Sequence, residues 1–150
     1  MNGVSCLGCE LVPKMGETSD IFHWRLSFSR AEHYLAEKIS PKQRACFIAL
    51  KIYFKREFKD VCPFIRSYHL KTLFFFFLEG KSPTYWTEIS ERDILRNLLS
   101  MLAEFIRDNY CPHFFIADVN QWKLKDQQES EARIEQRFKS FKRSNCQRKN

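Results

Sequence analysis

SYHLKTLFFFFLEG, residues 67–80, is the stretch on which the fold turns. From Leu70 to Leu78 its apolar residues run almost all the way round a helix, and a helix of that kind is packed on several sides. Four consecutive phenylalanines on a surface would invite aggregation, so burial is close to obligatory. The spacing predicts a helix that opens at Ser67 and is ended by Gly80 as its C′ residue. The fold class that follows is mainly α, a helical bundle built round this segment. At LFFFFL, residues 73–78, the longest apolar run is far short of the roughly 20 residues a membrane span needs.

Working outward, GKSPTYWTEI (80–89) reads as a loop, and a helix follows from Ser90 to Asp108 with Ile94, Leu95, Leu98, Leu102, Phe105 and Ile106 as its apolar stripe. CPHFFIADVNQW (111–122) is an apolar connector whose Phe114, Phe115 and Ile116 are expected to pack on the bundle. A last helix over 125–143 carries little apolar area beyond Ile134, Phe138 and Phe141. In the other direction, Cys62 and Pro63 break the chain. Before them lies a long helix in which Ser40 can cap, Pro41 suits the first helical position and Gln43 completes a capping box. Phe47, Leu50, Phe54 and Phe58 form its core stripe, while Arg44, Lys51, Lys55 and Lys59 stack as a cationic ridge that reads either as a solvated face or as a phosphate-binding surface.

Ser29 and Glu32 predict a further capping box opening SRAEHYLAEKI (29–39). Ahead of it, FHWRLSFS (22–29) alternates Phe22, Trp24, Leu26 and Phe28 with His23, Arg25, Ser27 and Ser29, the period of a half-buried strand. Leu11 to Pro13 can end one short strand and MGETSD (15–20) can turn. The remaining strand neighbours are expected to lie outside this sequence, because a strand's backbone groups need partners.

The chain has 150 residues, 44% hydrophobic and 29% charged, enough for one ordinary core and unlike a disordered chain. The N-terminus lacks a secretory pattern, so a reducing compartment is expected, the cytoplasm first and the nucleus second. Of six cysteines, Cys6 and Cys9 form a lone CxxC, half of a zinc site at best, and the others are scattered. Net charge is +7, with seven cations against two acids between Pro41 and Arg66 and six cations beyond Gln136. That balance suits an anionic partner. Tyr68 and Lys71 stand one turn apart at a helix N-terminus, where the dipole also favours anions.

LVPK (11–14), WRLSFSRAE (24–32), SYHLKTLFF (67–75), Trp86 after a short loop and PHFFIADVN (112–120) occur in the order found in the male abnormal 21-like family. That family lies within the cyclic GMP-AMP synthase-like nucleotidyltransferase superfamily, and the resemblance covers roughly residues 10 to 122. It implies a two-lobed nucleotidyltransferase fold of which this chain is the helical second lobe, with one or two strands of the α/β catalytic lobe before it. The implied domains are 1–29 as the catalytic-lobe remnant, 30–122 as the helical lobe and 123–150 as a basic, weakly helical tail.

By the same resemblance Arg25 and Ser27 would face a bound nucleotide, Lys51 and Ser67 would contact its phosphates, and Tyr68 would stack on its base. Arg44, Lys55 and Lys59 would form a basic surface able to meet double-stranded nucleic acid. The family's enzymes hold Mg²⁺, or Mn²⁺, on three acidic residues that precede LVPK. Nothing in this sequence replaces them, so no catalytic residue, metal ligand or cofactor is expected in the chain alone. The zinc-binding loop of the DNA-sensing member is also absent from AEKISPKQRACF (36–47), and Ala117 stands where the family usually has Pro. Two readings result: part of a nucleotidyltransferase that binds nucleoside triphosphates beside its missing N-terminal lobe, or a non-catalytic interaction module of the same family.

Overall fold

The structure, a computed structural model, describes residues 8–15 and 22–122. The expected turn at 15–20 lies almost wholly outside these residues, as do Cys6, the helix expected over 125–143, the basic tail and its six cations. The chain divides into two units, Met1–Ser40 and Pro41–Asn150.

In the first unit, β1 (Glu10–Met15) pairs antiparallel with β2 (Phe22–Ser27), Leu11 lying opposite Leu26 and Pro13 opposite Trp24. Paired residues share a face and alternate residues keep it, so Leu11, Pro13, Trp24 and Leu26 form one apolar surface. It is largely uncovered: Trp24 is 63% and Leu26 48% exposed. Among the described residues the sheet has only these two strands. β1 therefore gives β2 a neighbour within the chain, on one edge.

The helix α1 runs Ser29–Lys38 and buries Ala31. Phe28, not Ser29, is its N-cap and makes no side-chain capping bond. Ser29 already has helical geometry, and its hydroxyl lies 2.8 Å from that of Ser27. The N-cap thus falls one residue earlier than expected, and the capping box of Ser29 and Glu32 does not form because the hydroxyl is out of capping position.

The second unit is the bundle. α2 (Pro41–Glu57) begins on its proline, a residue whose missing N–H costs nothing at a first helical position. It buries Cys46, Leu50 and Phe54, and Phe58 is buried in the turn that follows. α3 (Ser67–Glu79) is the central element and buries His69, Leu70, Thr72, Leu73, Phe74, Phe75 and Phe77. Gly80 is its C-cap rather than C′, with φ −79°, so the left-handed freedom of glycine is not used. α2, α3 and α5 pack on one another.

The segment read as a loop contains a helix, α4 (Pro83–Glu88). Ser82 caps it through a bond from the Tyr85 N–H, 3.3 Å, and Pro83 takes the first position, the same pair of signals as Ser40 and Pro41. α4 delivers Trp86 edge-on to Phe77, with centroids 5.8 Å apart. α5 (Glu91–Arg107) is capped by Ser90 and buries Ile94, Leu98, Leu99, Leu102 and Ile106. In the connector, Phe114 packs on Phe75 and Phe76 at 5.2 and 5.0 Å. Asn120 ties that loop together, accepting from the N–H groups of Cys111 and Trp122 and donating to the Asn109 carbonyl.

Among the described residues no helix is long and apolar enough to cross a membrane.

Candidate functional site

An open groove of about 470 Å³ lies where the C-terminal half of α2 faces the start of α3. Its wall is formed by Lys51, Ile52, Phe54, Lys55, Lys59, Ile65, Arg66, Ser67 and Leu70. The local cause is helical periodicity. Lys51 and Lys55 are one turn apart, Lys59 extends the row into the turn after α2, and the Cys62–Pro63 break reverses the chain so that Ile65, Arg66 and Ser67 return alongside. Among the described residues four cations and no carboxylate line it, which gives the groove a positive lining. The Lys51 ammonium stands 5.6 Å from the centre of the Phe47 ring, which holds the side chain over an aromatic face.

α3 presents its N-terminus to this groove. Ser67 and Tyr68 occupy the first two helical positions, where backbone N–H groups have no intrahelical acceptor and the helix dipole adds positive potential. Tyr68 is 49% exposed. Burial, then nearby Cys111, raises its phenol above the ordinary value, so the ring is neutral near pH 7. Behind it, His69 is held down to about 4 by burial first and by the Arg66 guanidinium second, and is likewise neutral.

Of the residues singled out from sequence, Lys51, Lys55, Lys59 and Ser67 line one groove, and Tyr68 adjoins Ser67 at the same helix start. Arg44 is exposed on α2, two turns before Lys51, and is not part of the wall. Arg25 and Ser27 stand on β2 in the first unit, Arg25 exposed and Ser27 bonded to Ser29. Two contributors escaped the sequence reading. Arg66 adds a cation at the N-cap of α3, a place where the dipole disfavours positive charge, and that misfit was the available signal. Ile52, 62% exposed, adds an apolar lip, which its position beside the cationic ridge foreshadowed.

Among the described residues no three His, Cys, Asp or Glu side chains gather to hold a metal ion. The hard divalent ions implied by the resemblance ask for several oxygen ligands, and the described residues do not offer that set. Cys62 and Cys111 are fully buried, and desolvation pushes both thiols up to about 12, which makes them packing residues and not nucleophiles.

Comparison with known proteins matches residues 42–139 to the Mab-21 protein HhH/H2TH-like domain. The chain is 29% identical over 98 residues to a cyclic GMP-AMP synthase-like receptor of Tribolium castaneum, covering 65% of this chain and 23% of that protein. It is 31% identical over 121 residues to protein mab-21-like 3 of Danio rerio, covering 74% and 30%. To cyclic GMP-AMP synthase of Mus musculus it is 27% identical over 129 residues, covering 73% and 25%. The chain thus spans between 23% and 30% of the length of these curated relatives.

Proposed function

The chain belongs to the Mab-21 family through its HhH/H2TH-like helical domain, and from that premise we propose that it forms the phosphate-and-base-holding half of a nucleoside triphosphate site in a cyclic GMP-AMP synthase-like nucleotidyltransferase. The observation that carries this reading is the convergence of Lys51, Lys55, Lys59 and Arg66 on a groove closed at one end by the start of α3. The ammonium groups and guanidinium take the charge of a polyphosphate, and Arg66 can meet two phosphate oxygens at once. Ser67 adds a hydroxyl donor at a helix N-terminus. Tyr68 offers a stacking face, which accepts any base because every base has a π-surface.

In this reading the chain binds and orients the nucleotide; among the described residues no three His, Cys, Asp or Glu side chains gather for metal-assisted chemistry. Arg25 and Ser27 are proposed nucleotide contacts carried by the strand unit. The test separates the two halves of the ligand: ATP, inorganic triphosphate and adenosine are titrated onto the chain by calorimetry. ATP is expected to bind more tightly than either part. Tyr68→Ala should weaken ATP while leaving triphosphate unchanged, and equal loss for both would remove the stacking role.

A further inference from the structure

His69 sits directly behind the exposed Tyr68 and is itself almost fully enclosed, 3% exposed. Its Nδ1 accepts a hydrogen bond from the backbone N–H of Arg66 at 3.0 Å. An imidazole that accepts at Nδ1 and is neutral carries its proton on Nε2. That Nε2, like Nε1 of Trp122, is buried without a hydrogen-bond partner among the described residues. The ring is enclosed by aromatics: the Tyr68 centroid is 3.9 Å away, and Trp122 meets it edge-on at 5.8 Å. The acceptor at Nδ1 is therefore the polar task that the side chain performs.

Position explains the task. His69 is the third residue of α3 and Arg66 its N-cap, in extended conformation with φ −105° and ψ 164°. A third-position side chain reaching back to the N-cap N–H is half of a capping box, usually made by Glu or Gln. A glutamate here would set a carboxylate beside a groove lined by four cations and cancel part of its field. A buried neutral imidazole fixes the same turn without adding charge.

We propose that His69 is a positioning residue of the groove: its Nδ1 clamps the Arg66–Ser67 turn and its ring backs Tyr68, so that guanidinium, hydroxyl and aromatic face are presented together. The functional part of this rests on the nucleotide reading above. The residue touches no ligand and acts through its neighbours.

Two variants and two readouts test it on the full chain. His69→Phe keeps a ring and removes the acceptor, while His69→Gln restores a capping-box acceptor without charge. With ATP as the probe, His69→Phe is expected to weaken binding about fivefold, the factor that one hydrogen bond's net worth converts to, and His69→Gln to stay within about twofold of the parent. In the Tyr68→Ala background the His69→Phe effect should shrink, since the residue it supports is gone. Hydrogen exchange at the Arg66 amide gives a readout that needs no nucleotide: it should speed up in His69→Phe and not in His69→Gln. Equal ATP losses in both variants, or an Arg66 amide indifferent to His69→Phe, would overturn the proposal. A parent chain that fails to bind ATP would overturn the nucleotide reading instead, and the exchange rates would still decide whether His69 holds the turn.

Discussion

Acidification should destabilise this fold through one side chain. His69 titrates near 6.5 in an unfolded chain and about 4 in the folded one. Because the fold prefers the neutral form, the contribution is complete above pH 6.5, is lost as pH falls from there towards 4, and is flat below, where both states bind the proton. At full strength a shift of that size is worth about 3 kcal/mol, of which about 2 kcal/mol is expressed between pH 7 and pH 4.5. Urea unfolding of parent and His69→Phe, followed by far-ultraviolet circular dichroism at pH 7 and pH 4.5, isolates this group from the other histidines and the carboxylates. At pH 7 the variant is expected within about 1 kcal/mol of the parent, because it loses one capping bond but also removes a buried donor that has no partner among the described residues. The gap should then move by about 2 kcal/mol in the variant's favour at the lower pH. Parallel pH dependences would mean that His69 titrates alike in both states and that the fold does not favour its neutral form.

Three other outcomes follow from the packing. Phe74→Ala removes a ring that is 1% exposed and stacked 4.8 Å from Phe47, and should cost about 3–5 kcal/mol in the same unfolding assay; a cost below about 1 kcal/mol would deny its central place. Gly80→Ala should be neutral or raise stability by up to about 1 kcal/mol, because φ is −79° and the added Cβ would meet nothing nearer than the Phe76 carbonyl at 3.5 Å. A large loss would show that the position needs glycine after all. Trp24→Thr combined with Leu26→Thr keeps strand-favouring residues and should reduce binding of an apolar dye; unchanged dye binding would show that the face is not open to solvent.

How much of this was legible beforehand depends on the signal each element carries. α3 and α5 were readable to within a residue because burial writes a strong apolar pattern, and Ser90 marked the start of α5. α4 is not legible by periodicity because six residues are too few for it to show; only Ser82 and Pro83 announce it, the same pair of signals as Ser40 and Pro41. The cap at Ser29 failed for the opposite reason. A hydroxyl three residues before a glutamate is permissive, and the chain's path out of β2 decides which residue takes the N-cap conformation. The glycine that ends α3 reads as C′ from sequence and is the C-cap in the fold, since a glycine tolerates both hands and its identity does not say which terminal position it takes.

The groove shows the same division. Lys51, Lys55 and Lys59 fall together by helical spacing alone, so their shared face was visible in the sequence. That Arg66 and Ser67 close the other side depends on the reversal at Cys62 and Pro63, a tertiary fact. His69 was invisible as a contributor because a histidine in an apolar helix usually reads as core, and its role depends on which ring nitrogen meets the Arg66 N–H.

Whether these cations hold a nucleotide is decided by ATP titration of the chain against Lys51→Ala, with Arg107→Ala as a control of equal charge loss. Arg107 lies on α5, paired with Asp108 at 2.9 Å and absent from the groove wall. Saturable binding is expected, weakened at least about tenfold by Lys51→Ala, the lower end of what one charge-assisted contact is worth, and unchanged by Arg107→Ala. Equal weakening by both substitutions, or no saturable binding, would contradict the nucleotide reading.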